Sequence, residues 1–245
     1  MTARFRLIAG PNGSGKTTLT RMLAEDYAVN LYTMLNADDF FAAAKRTKAI
    51  PLSLEVEPRE LKAFAARSEY GDDIKSLFIN DIVAVKDGFI RFANEASVNS
   101  YSVALVTNFL QEEYIKAGRS FSQETVFSHP SKVAALEKAR AAGMRTYLYF
   151  VATENAKINA KRVAARYAQG GHNVPTEKIV DRYFRSLSNV RAALPFCSRA
   201  FFFDNSASEM RHIASYSAED RMKTTTDALP EWFKRLSYAG NEYAI

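Results

Sequence analysis

The sequence predicts an α/β fold, a central parallel β-sheet flanked by helices, on two main grounds. Strand-like runs at residues 5–9, 31–35, 121–123, 146–151 and 200–203 alternate with helical patterns, the order that a parallel sheet with crossover helices requires. The first run then leads straight into Gly10-Pro11-Asn12-Gly13-Ser14-Gly15-Lys16-Thr17-Thr18, which fills every position of the phosphate-loop pattern G-x-x-x-x-G-K-[ST] between a strand and a helix. At 245 residues the chain is long enough for one large core carrying an insertion, and a single domain over 1–245 is expected.

Residues 5–9 are continuously apolar apart from Arg6 and suit a buried strand. The glycines after them let backbone N–H groups curl around a phosphate, and the helix that follows, with Leu19, Met22 and Leu23 at helical spacing, points its positive end at the same anion. Lys16 would reach the β- and γ-phosphates and the Thr17 hydroxyl would hold Mg2+.

The next strand ends at Asn36-Ala37-Asp38-Asp39, at the carboxyl edge where open α/β sheets bind ligands. A carboxylate there suits two roles equally, a general base for an attacking hydroxyl or a cap for the following helix. Strand signals then stop, and a helical insertion is expected at about 45–118. Its helices start at Pro58 and at Asp72-Asp73 and occupy 102–116. Glu124 and Thr125 close the strand at 121–123. Glu124 can serve Mg2+ through water or a substrate hydroxyl, or can be a solvated strand-end acid. His129 reads as a residue of the helix entrance, ahead of a helix at 130–142 that Gly143 ends.

Arg162 and Arg166 lie four apart on one helix face, Gly170-Gly171-His172 breaks that helix, and a second helix after Pro175 carries Arg182 and Arg185. Two short helices about a glycine hinge, at about 155–190, suit a lid that delivers arginines to a transferring phosphoryl group; a solvated basic helix suits each arginine as well. The tail carries no catalytic motif, and Trp232 reads as a packing anchor.

A hydrophobic content of 47% and a charged content of 24% belong to an ordinary soluble chain. No apolar run approaches the roughly 20 residues that span a bilayer, which argues against a membrane partner. With Cys197 as the only cysteine, no intrachain disulfide forms, and a cytoplasmic location is expected. The net charge of +6 is assigned to a phosphate-handling cleft rather than to nucleic acid, since no nucleic-acid motif accompanies it.

In order along the chain, the loop 10–18, Asn36-Ala37-Asp38, Glu124-Thr125, Arg162-Val163-Ala164-Ala165-Arg166, Gly170 to Pro175, Arg182 to Leu187 and Phe203-Asp204-Asn205-Ser206 resemble the zeta toxin family of P-loop kinases. The resemblance covers most of 1–46 and 101–206. It implies a kinase that uses ATP or GTP with Mg2+ to phosphorylate the sugar 3′-hydroxyl of UDP-N-acetylglucosamine, held inactive in many members by a small antitoxin. It makes Lys16 and Thr17 the nucleotide and Mg2+ residues, Asp38 the general base and Glu124 a substrate-contacting acid. Arg166 and Arg182, then Arg162, become phosphate-stabilising arginines, and Asp204-Asn205 border the adenine. Two features depart from the family. Val126 stands where a hydroxyl residue is usual, with Thr125 beside it, and the insertion falls where the acceptor should bind. Two other functions therefore stay open: a kinase for a nucleoside, dinucleotide or polynucleotide end, and a non-catalytic nucleotide-dependent interaction module.

Overall fold

The computed structural model describes residues 2–170 and 174–238. In chain order its elements are β1 (Arg4–Ala9), α1 (Lys16–Glu25), β2 (Thr33–Leu35), α2 (Ala37–Thr47), β3 (Ala49–Pro51), α3 (Pro58–Arg67), α4 (Asp72–Ile79), β4 (Val83–Lys86), β5 (Phe89–Phe92) and α5 (Ser100–Lys116). There follow β6 (Phe121–Thr125), α6 (Ser131–Ala141), β7 (Arg145–Ala152), α7 (Ala156–Ala168), α8 (Thr176–Ala193), β8 (Arg199–Asp204), β9 (Arg211–Ser217), β10 (Arg221–Thr224) and α9 (Glu231–Tyr238). They divide into two compact units, Met1–Tyr32 with Ser120–Ile245, and Thr33–Arg119.

In the first unit the strands run in the order β10-β9-β8-β7-β1-β6. β1 pairs in parallel with both β6 and β7, and β7 pairs in parallel with β8. A central parallel strand is covered on both faces, so it reads as an apolar run; Phe5, Leu7, Ile8 and Ala9 are fully buried. Phe5 stacks on Phe121 of β6 with ring centroids 4.4 Å apart. The tail adds β9 and β10, both antiparallel, so the sheet is mixed at that edge. Behind β7 and β8, Trp232 lies 5.9 Å from Phe150 and Phe233 lies 5.2 Å from Phe202, which seats α9 on the core.

α6 ends as its sequence requires, with Gly143 at φ +77° and the Met144 N–H returning to Ala139 O at 3.0 Å. The expected lid helices are longer than anticipated: α7 has 13 residues and α8 has 18. α8 buries Ile179, Tyr183, Ser186, Leu187 and Val190 at helical spacing, so it is a packed element of the core as well as a carrier of arginines. Of the proposed hinge, Gly171 and His172 lie outside the described residues.

The second unit corrects the expectation of an all-helical insertion. Besides α2 to α5 it contains an antiparallel sheet in the order β3-β5-β4. Asp87 and Gly88, at φ +52° and +75°, form the two-residue turn between β4 and β5, the conformation that Asp-Gly favours in hairpins. On β5 Ile90 and Phe92 point inward and Phe89 and Arg91 outward, the alternation of a half-buried strand. α5 opens with a capping box between Asn99 and Ser102 and is buried on most of its circumference.

Candidate phosphate-binding site

The first unit supplies several contacts that shape the loop 10–18. The Gly10 N–H donates to Thr125 O at 3.3 Å, tying the loop's start to the end of β6, and the Ser14 N–H donates to Pro11 O at 3.2 Å. Gly13 has φ +75°, and a Cβ there would stand 2.6 Å from the carbonyl oxygen of Asn159; Gly15 has φ +99° and would meet the Asn205 side-chain amide. Both positions therefore need glycine twice over, for conformation and for space.

α1 begins at Lys16 with no side-chain cap and no acidic residue in its first turn. By contrast, Asn36, Asn99 and Asn155 cap α2, α5 and α7 through their side chains. The first N–H groups of α1, at the positive end of its dipole, are thus presented to an anion. Lys16 Nζ curls back over the loop to donate to Pro11 O at 3.1 Å. Thr17 and Thr18 are exposed in the first turn.

From β6, Glu124 is half-buried and accepts from Thr20 Oγ1 at 3.4 Å. The Thr125 hydroxyl accepts from the Phe127 N–H at 3.3 Å. Phe127 is fully buried at φ +65°, a strained backbone for a bulky residue. α8 holds this segment, with Ser186 Oγ donating to Val126 O at 2.6 Å and Asn189 Nδ2 to Phe127 O at 2.9 Å.

The arginines separate into different environments. Arg182 reaches the loop, donating to Asn12 Oδ1 at 3.5 Å. Arg162 is already engaged: its guanidinium donates to Asn205 O at 2.8 Å and to Ala207 O at 3.5 Å, so it ties α7 to the turn after β8. Arg166 is exposed in the last turn of α7. Asp204, the last residue of β8, is drawn into the core. Its carboxylate is buried, accepting from Trp232 Nε1 at 2.9 Å and from Ser206 Oγ at 2.6 Å, and only Asn205 turns to the loop, donating to Ser14 O at 2.8 Å.

Asn159 is the residue that sequence reasoning missed. It is fully buried on α7, its Oδ1 accepts from Thr153 Oγ1, and its Nδ2 donates to Asn12 O at 2.6 Å. Burial keeps the Tyr183 phenol protonated well above its usual pKa, and it donates to Thr153 O at 2.8 Å, bracing the same group. A signal was present, since asparagine is a poor former of helix interiors and needs a reason to sit there.

Asp38 belongs to the second unit. It is exposed in the first turn of α2, and its N–H donates to Asn36 Oδ1 at 3.0 Å. The cap of α2 is therefore Asn36, and the Asp38 carboxylate is not used for capping. Among the described residues no three His, Cys, Asp or Glu side chains cluster as a metal site, and no helix is long and apolar enough to cross a membrane. A Mg2+ ion here would draw on the exposed Thr17 hydroxyl and the half-buried Glu124 carboxylate, since Mg2+ takes few protein ligands and completes its shell with water and phosphate.

The parallel sheet and the glycine-rich turn into α1 define a protein of the P-loop NTPase and kinase class. Residues 6–188 match the AAA_33 AAA domain family, and the chain belongs to that family. No curated protein matches the sequence. Among solved structures, a chain of the AvrRxo1-ORF1:AvrRxo1-ORF2 complex with sulphate ions superposes with a TM-score of 0.53 at 16% identity, over 96% of this chain and 63% of that one. The same complex with ATP gives 0.53 at 18% identity, over 98% of this chain and 66% of the other. The PezAT chromosomal toxin-antitoxin system of Streptococcus pneumoniae gives 0.53 at 15% identity, over 98% and 80%. This chain thus shares the fold of a chain in each of these structures while spanning less than two thirds of the first of them.

Proposed function

We propose that this protein is an ATP-dependent kinase of the zeta toxin type, which transfers a γ-phosphate to a hydroxyl of a small acceptor, with UDP-N-acetylglucosamine as the first acceptor to test. The observation that carries the reading is the preset anion cradle: two glycines that admit no Cβ, an uncapped α1 N-terminus and Lys16 folded over the loop. In this reading the loop amides and Lys16 bind the β- and γ-phosphates, and Thr17 with Glu124 would hold Mg2+. When bound, the metal offsets the charge of the phosphate oxygens. Arg182 and Arg166 supply further positive charge as the transition state forms, and Asp38 takes the proton of the attacking hydroxyl.

The AvrRxo1-ORF1:AvrRxo1-ORF2 structure with ATP supports the choice of nucleotide, and the paired chains of that complex and of PezAT support an antitoxin-like protein partner. Transfer of labelled γ-phosphate from ATP to UDP-N-acetylglucosamine, nucleosides and an oligonucleotide tests the proposal. Labelling of the nucleotide sugar supports it, labelling of another acceptor alone replaces the acceptor, and ATP binding without any transfer favours a non-catalytic module.

A further inference from the structure

β8 and everything after it lie beyond residue 188, where the family match ends, yet this segment touches the phosphate loop directly. Its Asp204-Asn205 turn makes contacts in three directions. The Asn205 N–H donates to Ala152 O at the end of β7, at 2.9 Å. The Asn205 side chain donates to Ser14 O at 2.8 Å, and its own carbonyl accepts from Arg162 at 2.8 Å. Behind it the Asp204 carboxylate, 2% exposed with its residue, is gripped by the indole of Trp232 on α9 and by Ser206.

A trans peptide holds its C=O and its N–H on opposite sides of the chain. Fixing Ser14 O to Asn205 therefore turns the Gly15 N–H the other way, and fixing Asn12 O to Asn159 does the same for the Gly13 N–H. Two side-chain amides thus set two peptide planes of the loop.

We infer that the C-terminal segment is a positioning device for the phosphate loop: the Trp232–Asp204 bond holds Asn205 against Ser14 O, so that the loop amides are aimed before a phosphate arrives. Trp232 and Asn205 are positioning residues in this scheme. The inference rests on the proposed function only in taking the loop as a phosphate site.

The test uses the full chain with Trp232→Phe, which keeps an aromatic ring and removes the N–H donor, Asn205→Ala, the double variant, and Phe233→Leu as a packing control on the same helix. Amide hydrogen exchange of the ligand-free protein and calorimetric ATP affinity are measured for each. W232F should speed exchange at Ser14 and Asn205, whose N–H groups are bonded to Pro11 O and Ala152 O, and weaken ATP binding by about tenfold, the scale of one lost hydrogen bond to a charged group. F233L, at equal or greater loss of thermal stability, should change neither. If Trp232 acts through Asn205, the double variant binds ATP no worse than N205A alone. Effects of W232F and N205A that multiply, or loop exchange equal in W232F and F233L, would overturn the inference. The exchange measurement needs no nucleotide, so a wild type that binds no ATP would remove the kinase reading while the exchange result still decides the buttress.

Discussion

At the scale of single residues, the site is defined by where a side chain is forbidden as much as by where one is present. Gly13→Ala would put a methyl 2.6 Å from Asn159 O at φ +75°; we expect a loss of about 1–3 kcal/mol from the strained backbone alone, read by urea unfolding, and unchanged stability would contradict the loop geometry. Lys16 is half-buried at the end of the loop, and its Nζ donates to a loop carbonyl, Pro11 O. Lys16→Ala should therefore leave the melting temperature within a few degrees of wild type while removing nucleotide turnover. Turnover at the wild-type rate would withdraw the phosphate-loop assignment. These residues were legible in the sequence because a phosphate loop is a local motif with fixed spacing. Asn159 was not, because its meaning depends on a carbonyl of the loop brought near only by folding.

The elements divide between what periodicity reveals and what it hides. β1 and β7 were readable as long apolar runs, and α6 by the proline before it and the glycine after it. β3 was hidden because three residues are too few for any period, and β4 and β5 because their Asp87-Gly88 turn, a usable hairpin signal, lay inside a stretch read as helical. β9 and β10 mix Ser, Lys and Arg with a few apolar residues, so only the pairing of β9 on β8 and of β10 on β9 identifies them. α7 and α8 also change the ranking of the arginines. Arg182 meets Asn12 of the loop, Arg166 is exposed, and Arg162 is bound to backbone carbonyls. Arg182→Ala and Arg166→Ala should each lower kcat by more than they raise the Kd for ATP, with Arg182 the more severe. Losses confined to ATP affinity would assign them to ground-state binding instead.

For the whole molecule, two compact units share one chain, and the chemistry assigned to them is unevenly supported by packing. In the first unit the loop is held by β6, α7, α8 and the segment after β8, so its geometry is over-determined. The general base proposed in the second unit rests on a different kind of evidence: Asn36 caps α2 and leaves the Asp38 carboxylate exposed in its first turn. The account stands or falls on whether that carboxylate takes part in transfer. Asp38→Asn preserves size and shape while removing the capacity to take a proton. The deciding measurement is γ-phosphate transfer from ATP by wild type and D38N to whichever acceptor the wild type labels, alongside calorimetric ATP binding. The account predicts unchanged ATP affinity and a transfer rate lower by roughly 10²–10⁴-fold; transfer by D38N at the wild-type rate would contradict it.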